Sequence, residues 1–385
     1  MNETKATRYQ RWRRRVETAG LASAVLMLGI VALTPASHGL AGLAEAFTAG
    51  WDSPLRPVIT LALYVLLLVL LWELAALPAV IYLALRVEPA YARGARRLDD
   101  VLAGQALATA VALPMALAAA ALVRLAVTAA GPAWWALAAV LLAGALAAAL
   151  RLAPALLARL GDVQALSRPG LGVRLADLAR RAGVQIGDIA EWRIAEPAPT
   201  AAIVTGVGRA RRVLVSSEVV RDWTDNEIAV VVAHELAHHA HRDLWRTWAL
   251  NAGTLAGGLL LADRVLGWTA AASWRGGVAD LRSLPLMALV AAAVWTGATP
   301  ARHALSRRQE RRADLFALAL TNDAEAFGAA VRRLGARHLV EERPSRVARW
   351  LYFTHPPLAE RLACAEAWQQ QAARAAHASR SPAAR

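Results

Sequence analysis

Long stretches without charge are the feature that most restricts the fold of this 385-residue chain. Hydrophobic residues make up 57% of the sequence, and six segments are long and apolar enough to cross a hydrocarbon core about 30 Å thick. We predict these spans at residues 18–35, 57–86, 102–129, 132–150, 246–267 and 284–301. Within lipid only helices and closed barrels satisfy their backbone polar groups. The sequence therefore predicts a mainly α, multi-pass membrane helix bundle.

Basic residues cluster at the ends of these segments, all on one side of the predicted bundle. A basic run precedes the first span and arginines follow the second, fourth and sixth, whereas the connection near Gly131 is uncharged. The positive-inside rule then predicts both termini and residues 151–245 in the cytoplasm. Because the net charge of +14 arises from these clusters, the expected partner is the lipid bilayer and no nucleic acid. The first span has the outline of a signal peptide, but the later spans favour a retained helix.

The spans divide the chain into membrane and soluble segments. Residues 1–150 form the predicted N-terminal membrane domain with four spans, and residues 246–301 form a transmembrane hairpin. The soluble segments 151–245 and 302–371 must assemble into one domain, because neither has an obvious core of its own. Residues 372–385 form a basic tail that we predict to be disordered. Glu73, in the middle of the second span, is expected to be paired with an arginine or protonated, and less favourably to line a substrate chamber.

The sequence HELAH at residues 234–238 carries the chemistry of the first soluble segment. His234 and His238 are spaced i and i+4, so a helix stacks both imidazoles on one face, within reach of a single ion. Glu235 points to the neighbouring edge, where it can reach a metal-bound water without ligating the metal. The pattern predicts a zinc site. The alternative is a histidine-rich surface helix, because His239 and His241 crowd the same stretch.

The residues before the motif predict the local structure that it requires. Thr224 and Glu227 form a capping box, so the motif lies on a helix with a proper start, which we expect to end near residues 242–243. Two short runs of β-forming residues precede that helix, Ala202–Thr205 and Arg212–Ser216, and Gly206 ends the first of them.

A hydrolytic zinc takes three protein ligands and keeps one position open for water. The single cysteine, Cys364, cannot supply a cysteine-based site. No glutamate lies between Glu235 and Glu310, so Glu310 is the first downstream candidate for the third ligand, and the predicted hairpin returns it to the correct side. Asp314, one helical turn later, could orient a ligand histidine. The alternative for Glu310 is a solvated, charge-dense helix end.

Several motifs together resemble the HtpX-like and CAAX-prenyl-protease-type membrane zinc metallopeptidases, over roughly residues 160–365. They are HELAHH with Arg242 and Asp243, SRRQERRAD at 306–314, THPPL at 354–358 and ERL at 360–362. The resemblance implies a cytoplasmic zincin-like (gluzincin) α+β catalytic domain built from two chain segments. It implies one zinc ion per chain on His234, His238 and Glu310, with Glu235 as the general base, and a protein or peptide substrate.

The resemblance also implies substrate-binding residues. His355 is expected to stabilise the oxyanion, although a proline-locked loop histidine is an equal alternative, and Arg361 is expected to contact substrate. The edge strand with Ala202, Ile203 and Val204 is expected to pair with an extended peptide, which needs no particular side chain. Relatives often have Asn-Ala where residues 201–202 are Ala-Ala, so the substrate contact of that asparagine is not expected here.

The function predicted from the sequence is a membrane-embedded zinc metalloendopeptidase that cuts at the cytoplasmic face, in a bacterial cytoplasmic membrane by composition. One alternative is an antibiotic-sensor-type regulatory protease, which would need an extracytoplasmic sensor domain that no span after residue 301 can export. Another is a non-catalytic scaffold or chaperone partner with a structural zinc site, for which Glu235 would have no use. Prenylated proteins and misfolded membrane proteins both stay open as substrates.

Overall fold

The structure is a computed structural model that describes residues 4–91, 96–160, 162–193, 201–206, 208, 211–269, 277–337 and 339–380, the side chains of 153–160 and 375–380 excepted. The chain forms two compact units. Unit 1 comprises Met1–Ala145 and Asn251–Ala298, and unit 2 comprises Leu146–Leu250 and Thr299–Arg385. Each unit is therefore built from two separate stretches of chain.

The described residues are mainly helical and contain one small sheet, which confirms the predicted fold class apart from its orientation. The helices are α1 (Lys5–Leu33), α2 (Ala36–Phe47), α3 (Arg56–Tyr82), α4 (Glu88–Ala90), α5 (Leu98–Ala130), α6 (Trp134–Leu160), α7 (Pro169–Arg181), α8 (Ser217–Asp222), α9 (Asp225–Ala240), α10 (Asp243–Thr269), α11 (Leu284–Gly297), α12 (Thr299–Thr321), α13 (Ala324–Arg337), α14 (Arg346–Tyr352) and α15 (Leu358–Arg380). The strands are β1 (Asp162–Ala165), β2 (Asp188–Arg193), β3 (Ala202–Thr205) and β4 (Arg212–Ser216).

Three helical segments of the described residues are long and apolar enough to cross a membrane: Lys5–Leu33, Arg56–Ala90 and Leu98–Leu152. The third has 55 residues and contains two of the predicted spans, 102–129 and 132–150, on either side of Gly131. That glycine ends α5 with φ of 49°, a backbone conformation that favours glycine. A fourth candidate is the pair Leu281–Gly297 and Thr299–Thr321, which is bent by 45° at the break and contains the predicted span 284–301.

The predicted span 246–267 lies in α10, which is not among the candidate spans of the described residues. Asn251, Asp263 and Arg264 lower the hydropathy of this helix. The Asp263 carboxylate accepts a hydrogen bond of 2.7 Å from the indole nitrogen of Trp134, which is 2% exposed in the core of unit 1. Asp263 lowers the hydropathy of α10, but the hydrogen bond from Trp134 satisfies its carboxylate inside the helix bundle.

Helix α3 has two features that bear on the predicted span 57–86. The helix continues through Pro78 and ends four residues later, where a π-helical turn, Leu83–Val87, follows. Glu73 accepts a hydrogen bond from Gln105 of α5, so the partner in the structure is not the arginine that was one of the expectations, and the protonated alternative stays a prediction. A neutral amide donor is sufficient to satisfy a carboxyl group at this position.

Unit 2 contains a four-stranded sheet with strand order β1-β2-β4-β3. The strands β2 and β4 are parallel, and the two outer pairs are antiparallel. The predicted strands β3 and β4 have the expected bounds, whereas β1 and β2 were not predicted. Since β3 pairs only with β4 among the described strands, it lies at an edge of the sheet, as the strand-addition hypothesis requires.

Helix α9 is buried on two sides within unit 2. Ile228, Val232 and Leu236 belong to the core that includes Val213 and Val215 of β4, and all five are fully buried. On the other side, the cluster formed by Val230, Ala233, Ala317, Leu318 and Phe327 joins α9 to α12 and α13. The helix that carries the HELAH motif is thus the centre of the unit, which excludes the surface-helix alternative.

The C-terminal tail differs from its prediction, because α15 continues as far as Arg380. The stretch is rich in alanine and arginine, which have high helix propensity. Residues 381–385 lie outside the described residues.

We expect Thr224→Ala to destabilise unit 2, because the Thr224 hydroxyl caps α9 and accepts from the Glu227 backbone at 3.3 Å. Losing such a cap lowers stability by about 1 kcal/mol, or about 2–4 °C in melting temperature for a unit of this size. Thr224→Ser keeps the hydroxyl and is the control. Thermal melting of the full-length protein in detergent measures the difference, and equal melting of the two variants would contradict the role of the cap.

Candidate metal centre

Helix α9 presents the two motif histidines on one face. The capping box is present as predicted: the Glu227 carboxylate accepts from the Thr224 backbone at 2.8 Å. His234 and His238 lie one turn apart, with ring centroids 5.1 Å apart and planes at 83°. His234 is 9% exposed and His238 is partly buried, so the pair is held in a site that is only partly open to solvent.

Helix α12 brings Glu310 to these histidines. The Glu310 carboxylate is 7% exposed, and its Oε2 lies 3.1 Å from Nε2 of His234. Its other oxygen, Oε1, lies 3.5 Å from Nε2 of His238. One ligand atom from each of the three residues lies within 4.8 Å of the others. The structure therefore brings together the three predicted metal ligands from two distant parts of the chain.

Asp314 lies beside His234, where the predicted orienting acid would have to be. Its Oδ1 lies 3.0 Å from Nδ1 of His234, and its carboxylate is 2% exposed. The Arg361 guanidinium donates to both Asp314 oxygens, at 2.9 and 2.6 Å. This bidentate pair fixes the carboxylate next to Nδ1 of the ring, and the Nε2 of the same ring faces Glu310.

Asp243 lies beside Nδ1 of His238 in the same way, a contact that the sequence analysis did not predict. The Asp243 carboxylate lies 3.1 Å from Nδ1 of His238, is 3% exposed and accepts from Arg312 at 2.6 Å. Helix α9 ends at Ala240, earlier than predicted, and Arg242 has φ of 57°. This left-handed residue turns the chain so that Asp243, the first residue of α10, reaches back to the histidine.

The charges around the site act strongly on His234 and Glu310. Burial alone lowers the pKa of His234, but the Asp314 and Glu310 carboxylates outweigh it and raise the pKa to about 9. Burial raises the pKa of Glu310, but hydrogen bonds from His234 and His355 outweigh it and hold the pKa far below its usual range. The cluster is therefore an environment that stabilises positive charge at the His234 imidazole.

Glu235 and His355 border the cluster without belonging to the orienting pairs. Burial raises the pKa of Glu235, against the opposing influence of His234 and His238. The His355 side chain is 61% exposed, and its Nδ1 lies 2.7 Å from Oε2 of Glu310. A partly buried acid and an exposed imidazole thus flank one centre, the arrangement expected for a proton acceptor and a hydrogen-bond donor to substrate.

The edge strand β3 is tied to the motif helix. His239, the residue after the motif, has its Nε2 2.9 Å from the Val204 carbonyl oxygen. Ala202 and Val204 are buried and Ile203 is partly buried. The predicted peptide-binding strand therefore lies beside the metal centre, and one of its carbonyl groups is already bonded to His239.

The cluster fits a zinc ion on the chemistry of its donors. Two imidazoles and one carboxylate are a ligand set of hydrolytic zinc sites. In both histidines Nδ1 faces a carboxylate, which leaves Nε2, a good metal donor when unprotonated, toward the centre. Asp314 and Asp243 each pair with an arginine, whereas no arginine among the described residues pairs with Glu310. A cation at the centre would supply that missing charge.

The prediction that Arg361 binds substrate stays untested. The position of Arg361 favours a structural role as the partner of Asp314. Its guanidinium is bonded to Asp314, and only 16% of the side chain is exposed. This pairing could not be predicted from local sequence patterns, because the two residues lie 47 positions apart.

Comparisons with known proteins agree with this geometry. The sequence model of the family described as Peptidase family M48 matches residues 171–369, a little over half of the chain. An uncharacterized metalloprotease, YhfN of Bacillus subtilis (strain 168), is 26% identical over 210 residues, which are 53% of this chain and 49% of that protein. Protease HtpX of Xylella fastidiosa (strain 9a5c) is 30% identical over 178 residues, 42% of this chain and 61% of the relative. The chain thus spans about half to three fifths of these relatives.

The fold is also similar to a solved structure, the crystal structure of S. mikatae Ste24p, with a TM-score of 0.68. The match covers 84% of this chain and 79% of Ste24p at 16% sequence identity, so it supports the fold alone. The predicted resemblance to HtpX-like and CAAX-prenyl-protease-type proteins is confirmed. Because the family's sequence model matches more than half of the chain, the chain belongs to peptidase family M48.

Proposed function

We propose that this protein is a membrane-embedded zinc endopeptidase. The observation that carries the proposal is the partly buried Glu235 next to the cluster of His234, His238 and Glu310. A structural zinc site needs no general base, so Glu235 favours catalysis over a scaffold with the same ligands. The family membership and the HtpX relative support proteolysis of protein or peptide substrates.

In this proposal, the three metal ligands and Glu235 have separate roles in peptide hydrolysis. When bound by the three ligands, zinc supplies Lewis acidity, which makes water more acidic and polarises a carbonyl group. Glu235 takes the proton from the attacking water and later delivers it to the leaving nitrogen. Its raised pKa suits a group that must hold that proton between the two steps.

His355 and the edge strand position the substrate in this proposal. The exposed His355 imidazole donates a hydrogen bond to the oxygen of the attacked carbonyl as negative charge develops on it. The strand β3 aligns an extended peptide alongside the motif helix through its backbone. The orienting carboxylates Asp314 and Asp243 hold the two ligand histidines in place.

The proposed setting is a bacterial cytoplasmic membrane with both termini and the metal centre on the cytoplasmic side. The apolar helices Lys5–Leu33, Arg56–Ala90 and Leu98–Leu152 support membrane insertion. The distribution of arginine around the predicted spans supports the orientation. Segment Arg307 to Asp314 has six charged residues in eight, which keeps the metal centre outside the hydrocarbon core.

Glu235→Gln is expected to retain zinc and to lose turnover by about 10²–10⁴-fold, because it keeps the shape of the side chain and removes the proton acceptor. Glu310→Gln is the matched comparison and should lose zinc as well. Metal analysis of the purified variants and cleavage of fluorescein-labelled casein measure the two effects. An active Glu235→Gln protein would remove Glu235 from this role, and an inactive wild type with full zinc would favour the scaffold.

Asp243→Asn and Asp314→Asn are each expected to weaken zinc binding by about 10–100-fold, since each removes the carboxylate that orients a ligand histidine. Asp177→Asn is the control, because Asp177 also pairs with an arginine but lies on the exposed face of α7. Competition with a chelator of known affinity measures the dissociation constants. Parent-like affinity in Asp243→Asn would show that Asp243 does not orient His238.

Zinc binding is expected to release protons near pH 7. The pKa of His234 is raised to about 9 in the metal-free site, so zinc must displace a proton from this ring below that pH. Apparent zinc affinity should rise with pH up to about 9, and the stabilisation of the metal-free protein by this proton should be lost over the same rise. Calorimetry in buffers of different ionisation enthalpy counts the protons, and zinc binding without proton release would contradict the assignment.

A further inference from the structure

Helix α14 presents an apolar stripe that no part of the described chain covers. Its residues Val347, Trp350 and Leu351 are spaced i, i+3 and i+4, so they share one face of the helix. They are 68%, 60% and 39% exposed. Ser345 caps the helix and accepts from the Ala348 backbone at 3.2 Å. The apolar stripe therefore belongs to an ordered helix.

The opposite side of α14 is fixed to the rest of unit 2. Arg307 of α12, 6% exposed, donates to the Arg349 carbonyl at 3.0 Å and to the Phe353 carbonyl at 2.7 Å. Arg349 is bonded to Glu360 of α15. These bonds hold the helix so that the apolar stripe stays directed away from its supports.

The chain places α14 close to the end of a predicted membrane span. The span 284–301 ends in the first turn of α12, and His303, two residues later, hydrogen-bonds the backbone of Trp350. Arg307, the main support of α14, is six residues beyond residue 301, or about 9 Å along a helix. A helix along the membrane normal would therefore place Arg307 at the outer edge of the headgroup region, which is about 5–8 Å deep on either side of the hydrocarbon core.

The charges beside the stripe suit an anionic lipid surface. Arg343 and Arg346 are exposed on the approach to α14 and outnumber the exposed Glu342. Arg308 of α12 is exposed as well. Arginine beside tryptophan and aliphatic residues is the composition of helices that lie in a membrane interface, where tryptophan rings prefer the level of the headgroups.

We propose that α14 is an interfacial helix whose Val347, Trp350 and Leu351 insert into the headgroup region of an anionic bilayer. The inference rests on the membrane setting of the proposed function, through the span 284–301. Phe353 directly follows α14, and His355 is three residues beyond its end. Insertion of the helix would therefore fix the His355 loop at the membrane surface, where the peptidase would receive chains that emerge from the bilayer.

A nitroxide label at residue 347 tests the location of the stripe. Cys364 is the only cysteine, so Cys364→Ala gives a background for single labels in the full-length protein. The variant Val347→Cys is labelled and placed in nanodiscs of phosphatidylcholine and phosphatidylglycerol, and collisions with oxygen and with a water-soluble nickel chelate are measured. We expect the ratio of oxygen to nickel accessibility to be several-fold higher than at Val173→Cys, an equally exposed valine on α7, which is 74% exposed.

Further labels make each outcome decisive. Trp350→Cys, on the same stripe, should repeat the result if the first variant folds poorly. Ala293→Cys reports on the predicted span: a nickel-accessible label there would contradict the membrane setting, whereas a protected label there with an accessible label at 347 would overturn only the role of α14. Low accessibility of residue 347 to both reagents would show a protein partner or a second copy on the stripe, and would also overturn the proposal. Zinc content and turnover are independent of these measurements.

Discussion

The packing of α12 against α9 is the interaction on which the rest of the metal centre depends. It places the Glu310 carboxylate between two imidazoles, 76 residues away from His234 in sequence. Burial of this carboxylate is unfavourable without opposite charge nearby. Arg361 neutralises Asp314 and Arg312 neutralises Asp243, so the arginines are already matched to the orienting acids. In the part of the chain that the structure describes, no arginine forms an ion pair with Glu310 or Glu235, and the proposed divalent cation would supply the charge that completes the cluster.

Helix α12 carries several residues of the site in addition to Glu310. It supplies Glu310 as a ligand, Asp314 as an orienting acid and Arg312 as the partner of Asp243. Two turns before Asp314, Arg307 of the same helix donates to the Phe353 carbonyl and so supports the loop that carries His355. Because one rigid helix sets all four positions, a shift of α12 relative to α9 would disturb ligation, orientation and the His355 loop at once. This concentration explains why the helix is so densely charged and yet buried at Glu310 and Asp314.

Local signals made part of this structure predictable. The capping box at Thr224, the strands β3 and β4 and the spacing of His234 and His238 all depend on residues close in sequence. Asp243 was missed because its approach to His238 depends on the positive φ of Arg242, which the sequence does not reveal. The pairing of Arg361 with Asp314, the strand β2 and the satisfaction of Asp263 by Trp134 depend on contacts between distant segments. Periodicity carries no information about such contacts, and only the resemblance pointed to His355.

Each of the two motif histidines is followed by a carboxylate and an arginine: His234 by Asp314 and Arg361, and His238 by Asp243 and Arg312. Each carboxylate is held by its own arginine, from α15 in one case and from α12 in the other, so the two ligand histidines are oriented independently. Glu310 has no such support, since its contacts are the two ligand imidazoles and the exposed His355. In the proposed zinc site, its carboxylate would therefore be the ligand least restrained by other residues when a substrate carbonyl approaches. Such a ligand would suit a hydrolytic centre, whose coordination can expand during the reaction.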